Sequence, residues 1–243
     1  MRNFYIIKGL AENHQLTLLT FQEPQQDVSK DMLMPLRALC EGGVHHLPVP
    51  PRTTQDRLRD LVRSSLPDMG HRLYSEVFND QLSELLQKEK FDVVQIEGIE
   101  LARTITIIRE YSPLSKIVFD NHNAETELQR RALQTDWQRP QRWIGAAYSA
   151  VQVVRLSRFE TWACETADAV TVVSHADGEH LQKLVPTLNP TPIPNCIDVG
   201  RYAELYQDPN LMYDLVFTGK MDYRPNVDAM VWFCAEIWPI IKE

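Results

Sequence analysis

Residues 92–125 read DVVQIEGIELARTITIIREYSPLSKIVFDNHNAE. The run DVVQI (92–96), apolar at Val93, Val94 and Ile96 and bounded by polar residues, has the pattern of a strand in a parallel sheet. A helix is expected over about 101–111, closed by Pro113, which disfavours helical backbone in the residue before it. KIVFD (116–120) is the next strand. Strand, helix and strand in this order make an α/β sheet with crossover helices.

The same alternation extends both ways. Upstream, residues 2–12 predict a helix with Phe4, Ile7, Leu10 and Ala11 on one face. QLTLLTF (15–21) predicts a strand, and 44–49 a shorter one placed near a sheet edge by Pro48. Helices follow over 55–62, ending before Pro67, and over 73–88. Downstream come a long or kinked helix (141–166), a strand (169–173), a helix (176–184) and a short extended piece (191–194). A polar, proline-containing linker over 203–210 precedes a strand over 214–218 (DLVFT) and a helix over 226–242. These elements divide into a first domain (1–198), a linker (199–212) and the opening of a second domain (213–243). A doubly wound half normally opens on a strand, and this chain opens on a helix. Both ends are therefore expected to be cut, with a central strand preceding Met1. The last helix carries Val227, Met230, Val231, Phe233, Cys234, Ile237, Trp238 and Ile241, and one strand cannot cover so wide a surface. Self-association, or docking of this helix onto the first domain, is expected from it.

Composition bounds the function. Across 243 residues, 44% hydrophobic and 24% charged residues make a globular chain rather than a disordered one. No apolar run approaches the roughly 20 residues of a membrane span, and the N-terminus does not read as a signal peptide. Cys40, Cys164, Cys196 and Cys234 form no CxxC pair, so they read as reduced thiols of a cytosolic protein, mostly packing residues, with no structural metal. A net charge of −8 argues against nucleic acid as a partner. Arg130, Arg131, Arg139, Arg142, Arg155 and Arg158 nevertheless crowd one stretch beside Trp137 and Trp143. A peripheral contact with lipid headgroups is one reading of this group, and packing with snorkelled charges is the other.

Three stretches carry candidate chemistry. In IVFDNHNAE (117–125) a strand runs into a polar loop, where loops beyond strand C-termini line the ligand crevice of an open α/β sheet. His122 and Asn123 can bond sugar hydroxyls or phosphate there, and helix amides from Ala124 onward can meet an anion. The plainer reading is that Asp120 and Asn123 cap the helix. In ETADAVTVVSHADGEHL (165–181), Ser174 can touch a phosphate or sugar oxygen, although capping alone explains it. The third pairs TPIPNCID (191–198) with LVFTGKMDYRPNVDAMVWF (215–233). There Gly219 permits close backbone approach, and Lys220 and Arg224 can neutralise a diphosphate. An ordinary turn with solvated charges is the alternative. Glu97, in QIEGIE (95–100), faces either the cleft or a helix N-terminus. No GxSxG, HExxH or Walker motif occurs.

Together these stretches resemble the retaining GT-B glycosyltransferases of family 4, in particular the exopolysaccharide-associated branch. Asp120, His122, Asn123 and Glu125 match a D-x-H-N-x-E strand end. Residues 167–174 match ADAV-x-x-VS. Residues 193–198 match the IPNG(V/I)D crossing except at Cys196, and residues 217–229 closely follow FVG-x-MD-x-xPN-x-DA. The resemblance implies two Rossmann-like domains, the first nearly whole and holding the acceptor, the second barely begun and binding the nucleotide-sugar. It implies transfer of a sugar from a nucleotide-sugar donor to a glycan or lipid-linked acceptor, with retention and without an obligatory metal or other cofactor. His122 would lie at the cleft floor; Gly219, Lys220 and Arg224 near the donor phosphates; Asn123, Glu97 and Ser174 along the cleft. The family's glycine-rich first loop would precede Met1, and its donor-phosphate lysine and acidic ribose clamp would follow Glu243, so no transfer is expected from these 243 residues alone. The implied location is the cytoplasm, or the inner face of a membrane. Two other classes share this sequence pattern, a GT-B-type sugar-nucleotide epimerase and a non-catalytic binding module.

Overall fold

The computed structural model describes residues 2–23, 30–138, 140–197, 199–200, 215–222 and 224–242. The chain divides into two compact units, residues 1–197 and 198–243.

In the first unit, helix α1 (Arg2–Ala11) leads to strand β1 (Thr17–Gln22), helix α2 (Lys30–Leu39) and strand β2 (Gly43–Pro48). β1 and β2 pair in parallel as a two-stranded sheet. Helices α3 (Thr54–Arg63), α4 (Asp68–Arg72) and α5 (Glu76–Lys88) follow, then strand β3 (Val93–Glu97), helix α6 (Thr104–Tyr111) and strand β4 (Lys116–Asn121). Helix α7 (Glu125–Trp137), helix α8 (Trp143–Thr166), strand β5 (Ala169–Val172), helix α9 (His175–Leu184) and strand β6 (Thr191–Pro192) complete the unit. β3, β4, β5 and β6 form a second, wholly parallel sheet in chain order. The expected α/β parallel-sheet class is the one observed.

Local chemistry explains most boundaries. Thr53 and Asp56 form a capping box at the start of α3. The helix expected over 73–88 forms as α5 from Glu76, because Ser75 accepts from the Phe78 amide and caps it; α4, just before it, was not expected. Within α5, Phe78, Leu82, Leu85 and Leu86 recur at helical spacing and are buried. α2 was not anticipated, since Pro35 lies inside it and masks the helical pattern. The core joins β3 to β5 through Ile96, Ile117, Phe119, Val170 and Val172, packed under Ile105, Ile108, Leu156 and Phe159 from the helices. Leu19 of β1 packs against this core, and Phe21 stacks on Phe78 at 4.6 Å.

The second unit holds helix α10 (Arg224–Trp232), a π turn (Phe233–Ile237) and helix α11 (Trp238–Lys242). The strand expected over 214–218 does not form: residues 215–218 make no ladder, and residue 214 lies outside the described residues. A strand needs a neighbour for its N–H and C=O groups, and no second strand occurs among the described residues of this unit. The expected linker over 203–210 also lies outside the described residues. Cys40 and Cys164 are buried, as packing thiols should be, and burial pushes the Cys164 thiol up to about 12. Cys196 and Cys234 are exposed, which corrects the packing reading for that pair. No non-glycine residue among those described has positive φ, so Cys196 replaces the family's glycine without backbone strain.

Candidate functional site

Register builds the site. Glu97, the last residue of β3, lies beside Asp120 of β4, and Asp120 lies beside Thr171 of β5. Partners in parallel strands project to the same face, so three polar groups converge where the strands end. Asp120 is fully buried and accepts Nη2 of Arg2 on both carboxylate oxygens, at 3.0 and 2.9 Å. The Thr171 hydroxyl donates to it at 2.7 Å. Arg2 also donates to the carbonyls of Ile193 and Pro194, which ties α1 to the segment after β6.

His122 follows directly. Its Nε2 lies 2.8 Å from Glu97 Oε2 and 3.8 Å from Asp120 Oδ2, with the side chain 36% exposed. The hydrogen bond to Glu97 raises the His122 pKa above the ordinary histidine value, assisted by the negative charges of Glu97 and Asp120; burial and Arg2 pull the other way. Glu97 thus engages His122 rather than a helix N-terminus. Gly98 makes the approach feasible: its φ of +84° suits glycine, its N–H donates to the Asp120 carbonyl at 2.9 Å, and an added Cβ would lie 3.2 Å from Glu100 and 3.8 Å from His122.

The N-terminus of α7 differs from both sequence readings. Neither Asp120 nor Asn123 caps it. The amides of Glu125 and Thr126 donate to the carboxylate of Glu160 on α8, at 3.0 and 3.1 Å, and Asn121 Nδ2 donates to the same group at 2.8 Å. Glu160 is fully buried. Asp177 of α9 takes the Ala124 amide at 3.2 Å. Those amides are therefore occupied by internal carboxylates and are not open to an external anion. Asn123 is exposed, with its amide on Glu125 at 3.1 Å. Burial raises the Glu125 pKa, partly offset by that bond. Ser174 caps α9 by accepting from the Asp177 amide at 3.1 Å, and its hydroxyl donates to the Asp177 carboxylate.

Asp168, within the ADAV stretch, acts structurally. It takes the Ile117 amide at 2.9 Å and pairs with Arg109 and Lys116, and these bonds hold its carboxyl far below the usual range. In the second unit, an added Cβ on Gly219 would meet the Phe217 ring at 2.7 Å, so tight packing explains this glycine. Lys220 is exposed and pairs with Asp222 at 3.1 Å, while Asn226 donates to the Lys220 carbonyl. Arg224 is the first residue of α10, and its side chain lies outside the described residues. The two candidate groups stand in separate units. Arg2, Glu160 and the Asp120 pairing were missed by the sequence reading, because each contact spans from 34 to 118 residues.

Glu97, Asp120 and His122 offer ligand atoms within 4.8 Å of one another. The Arg2 guanidinium already satisfies Asp120, so the cluster balances its charge through a resident cation. Proton NMR provides a direct check of the His122–Glu97 pair. The His122 midpoint is expected above that of an ordinary histidine and to fall in Glu97→Gln. Because the folded-state pKa is the raised one, the pair's stabilisation is fully present below the unfolded value of about 6.5 and is lost as pH rises through the folded-state midpoint. An unchanged midpoint in Glu97→Gln would contradict the pairing.

A parallel sheet with a polar cluster at the strand C-termini defines an α/β ligand-binding domain. Residues 4–196 match the family model described as a glycosyl transferase 4-like domain, and the chain belongs to that family. Glycosyl transfer is the class of chemistry the family supports. No curated protein matches the chain.

Proposed function

We propose that the enzyme carrying this chain moves a sugar from a nucleotide-sugar donor to a hydroxyl of a glycan or lipid-linked acceptor, with retention of anomeric configuration. The observation that carries the reading is the half-exposed His122, held by Glu97 at the end of the parallel sheet. In this reading His122 orients the reacting sugar or the acceptor hydroxyl, with Glu97 fixing its ring and protonation. Asn123 lines the same loop, and Ser174 supports it through α9. Gly219, Lys220 and Arg224 belong on the donor side, where preorganised positive charge stabilises the departing diphosphate without an obligatory metal. An epimerase would need several carboxylates and histidines free to act. Here Asp120 is committed to Arg2, and a single histidine stands at the cluster.

Surface features fit a lipid-linked acceptor. Trp137, Trp143 and Ile144 are 65%, 59% and 90% exposed at the α7–α8 junction, a composition suited to a membrane interface. Arg130 and Arg131 close by pair with Glu127. No described helix is long and apolar enough to cross a membrane. The exposed Val231, Trp232 and Ile240 of the second unit support self-association.

Product stereochemistry tests the reading. Proton NMR of the first-formed glycoside is expected to show the anomeric configuration of the donor, and an inverted anomer would rule the mechanism out.

A further inference from the structure

An open pocket of about 400 Å³ lies beside the candidate site, lined by Arg59, Arg72, Arg103, His71 and Tyr74 with Pro50 and Pro51 as an apolar wall. Most of its charge is internally balanced. Arg52 pairs with Asp60 and Asp68, Arg59 with Asp56, and Arg72 with Glu100 at 3.2 Å. Arg103 is the exception: among the described residues no carboxylate pairs with it. Its guanidinium lies 4.0 Å over the Tyr74 ring, and its one hydrogen bond among the described residues is a long contact, 3.5 Å, to the Gly70 carbonyl. Burial works against its charged form, with only Tyr74 in opposition. Most of its five donors are therefore open to the pocket, where an oxyanion can take them.

The pocket adjoins His122 through short links. Arg72 holds Glu100 Oε1, and Glu100 and His122 lie 3.2 and 3.8 Å from where a Cβ on Gly98 would stand. A ligand reaching from His122 past Gly98 therefore comes to Glu100 and Arg72, and Arg72 lines the pocket together with Arg103. The volume falls within the range of small-ligand sites, and a planar fork beside an aromatic ring and two prolines suits a sugar ring bearing an oxyanion.

We propose that this pocket binds an anionic substituent of the acceptor, a phosphate or a carboxylate on a sugar, with Arg103 as its principal ligand. The assignment rests on the glycosyltransferase reading for the word acceptor, and its test needs no turnover. Titration calorimetry of the 243-residue chain with glucose 1-phosphate and with glucuronate separates the two oxyanion sources, with glucose as the neutral control. At least one anionic probe is expected to bind, and glucose at least about tenfold more weakly, as charge-assisted hydrogen bonds require. Arg103→Gln is expected to weaken the anionic probe about tenfold or more. Arg103→Lys, which keeps the charge and loses the fork, should weaken it severalfold. Lys88→Gln, an exposed residue at the end of α5 that pairs with Glu84, should leave it unchanged. Absence of binding by either anion, equal binding of glucose, or unchanged affinity in whichever Arg103 variant keeps the wild-type circular dichroism would overturn the proposal. So would loss of binding in Lys88→Gln. None of these results bears on whether the enzyme transfers sugars, which product analysis reads separately.

Discussion

Glu160→Ala is expected to destabilise the first unit by about 3–5 kcal/mol, the magnitude seen when one partner of a buried charged network is removed. Glu160 has no exposed surface and accepts three hydrogen bonds, from Asn121 and from the first two amides of α7. Truncation leaves all three donors buried without an acceptor, at about 1–3 kcal/mol each before relaxation. It also removes the negative charge from a helix N-terminus, where the helix dipole favours it. Against a typical total stability of about 5–15 kcal/mol, such a loss brings the chain near its unfolding threshold. Glu160→Gln keeps an acceptor oxygen and should cost less. Urea unfolding followed by circular dichroism reads both variants, and a midpoint for Glu160→Ala within error of wild type would show that α7 finds its cap elsewhere.

Asp120→Ala should cost a similar amount, about 3–5 kcal/mol. The side chains of Asp120 and Arg2 are 0% and 9% exposed, so the variant strands a guanidinium with little access to water. The Thr171 hydroxyl loses its acceptor in the same step. Arg2→Ala strands the carboxylate in turn, so the two changes should not add. A double-mutant cycle is expected to show strong coupling between them. Additive losses would show that the pair seen in the structure contributes nothing jointly.

Much of this arrangement could be read in advance. Apolar runs bounded by polar residues identified β3 and β4, and a crossover helix between them implied the parallel pairing. The DNHNAE loop marked the place of His122, and its position after a strand implied a crevice. The partners that make the loop stable were not legible. Helix capping is usually local, so Asp120 and Asn123 looked like the caps of α7; the true cap, Glu160, comes from the interior of a helix that shows no signal of its own for that role. Arg2 lies 118 residues from Asp120, and no periodicity links them. A proline concealed α2 for the opposite reason: a strong local rule was outweighed by tertiary packing. The pattern DLVFT reads as a strand by composition, but composition cannot supply the neighbour that a strand requires.

The central claim is that His122, held by Glu97, meets the reacting sugar or its acceptor. Steady-state kinetics of His122→Ala in the active enzyme, with stability checked in parallel, tests it most directly. kcat/KM is expected to fall about 10²-fold or more, the contribution of a positioned acid–base or orienting group, with the unfolding midpoint little changed. Near-normal turnover in a folded His122→Ala enzyme would contradict it.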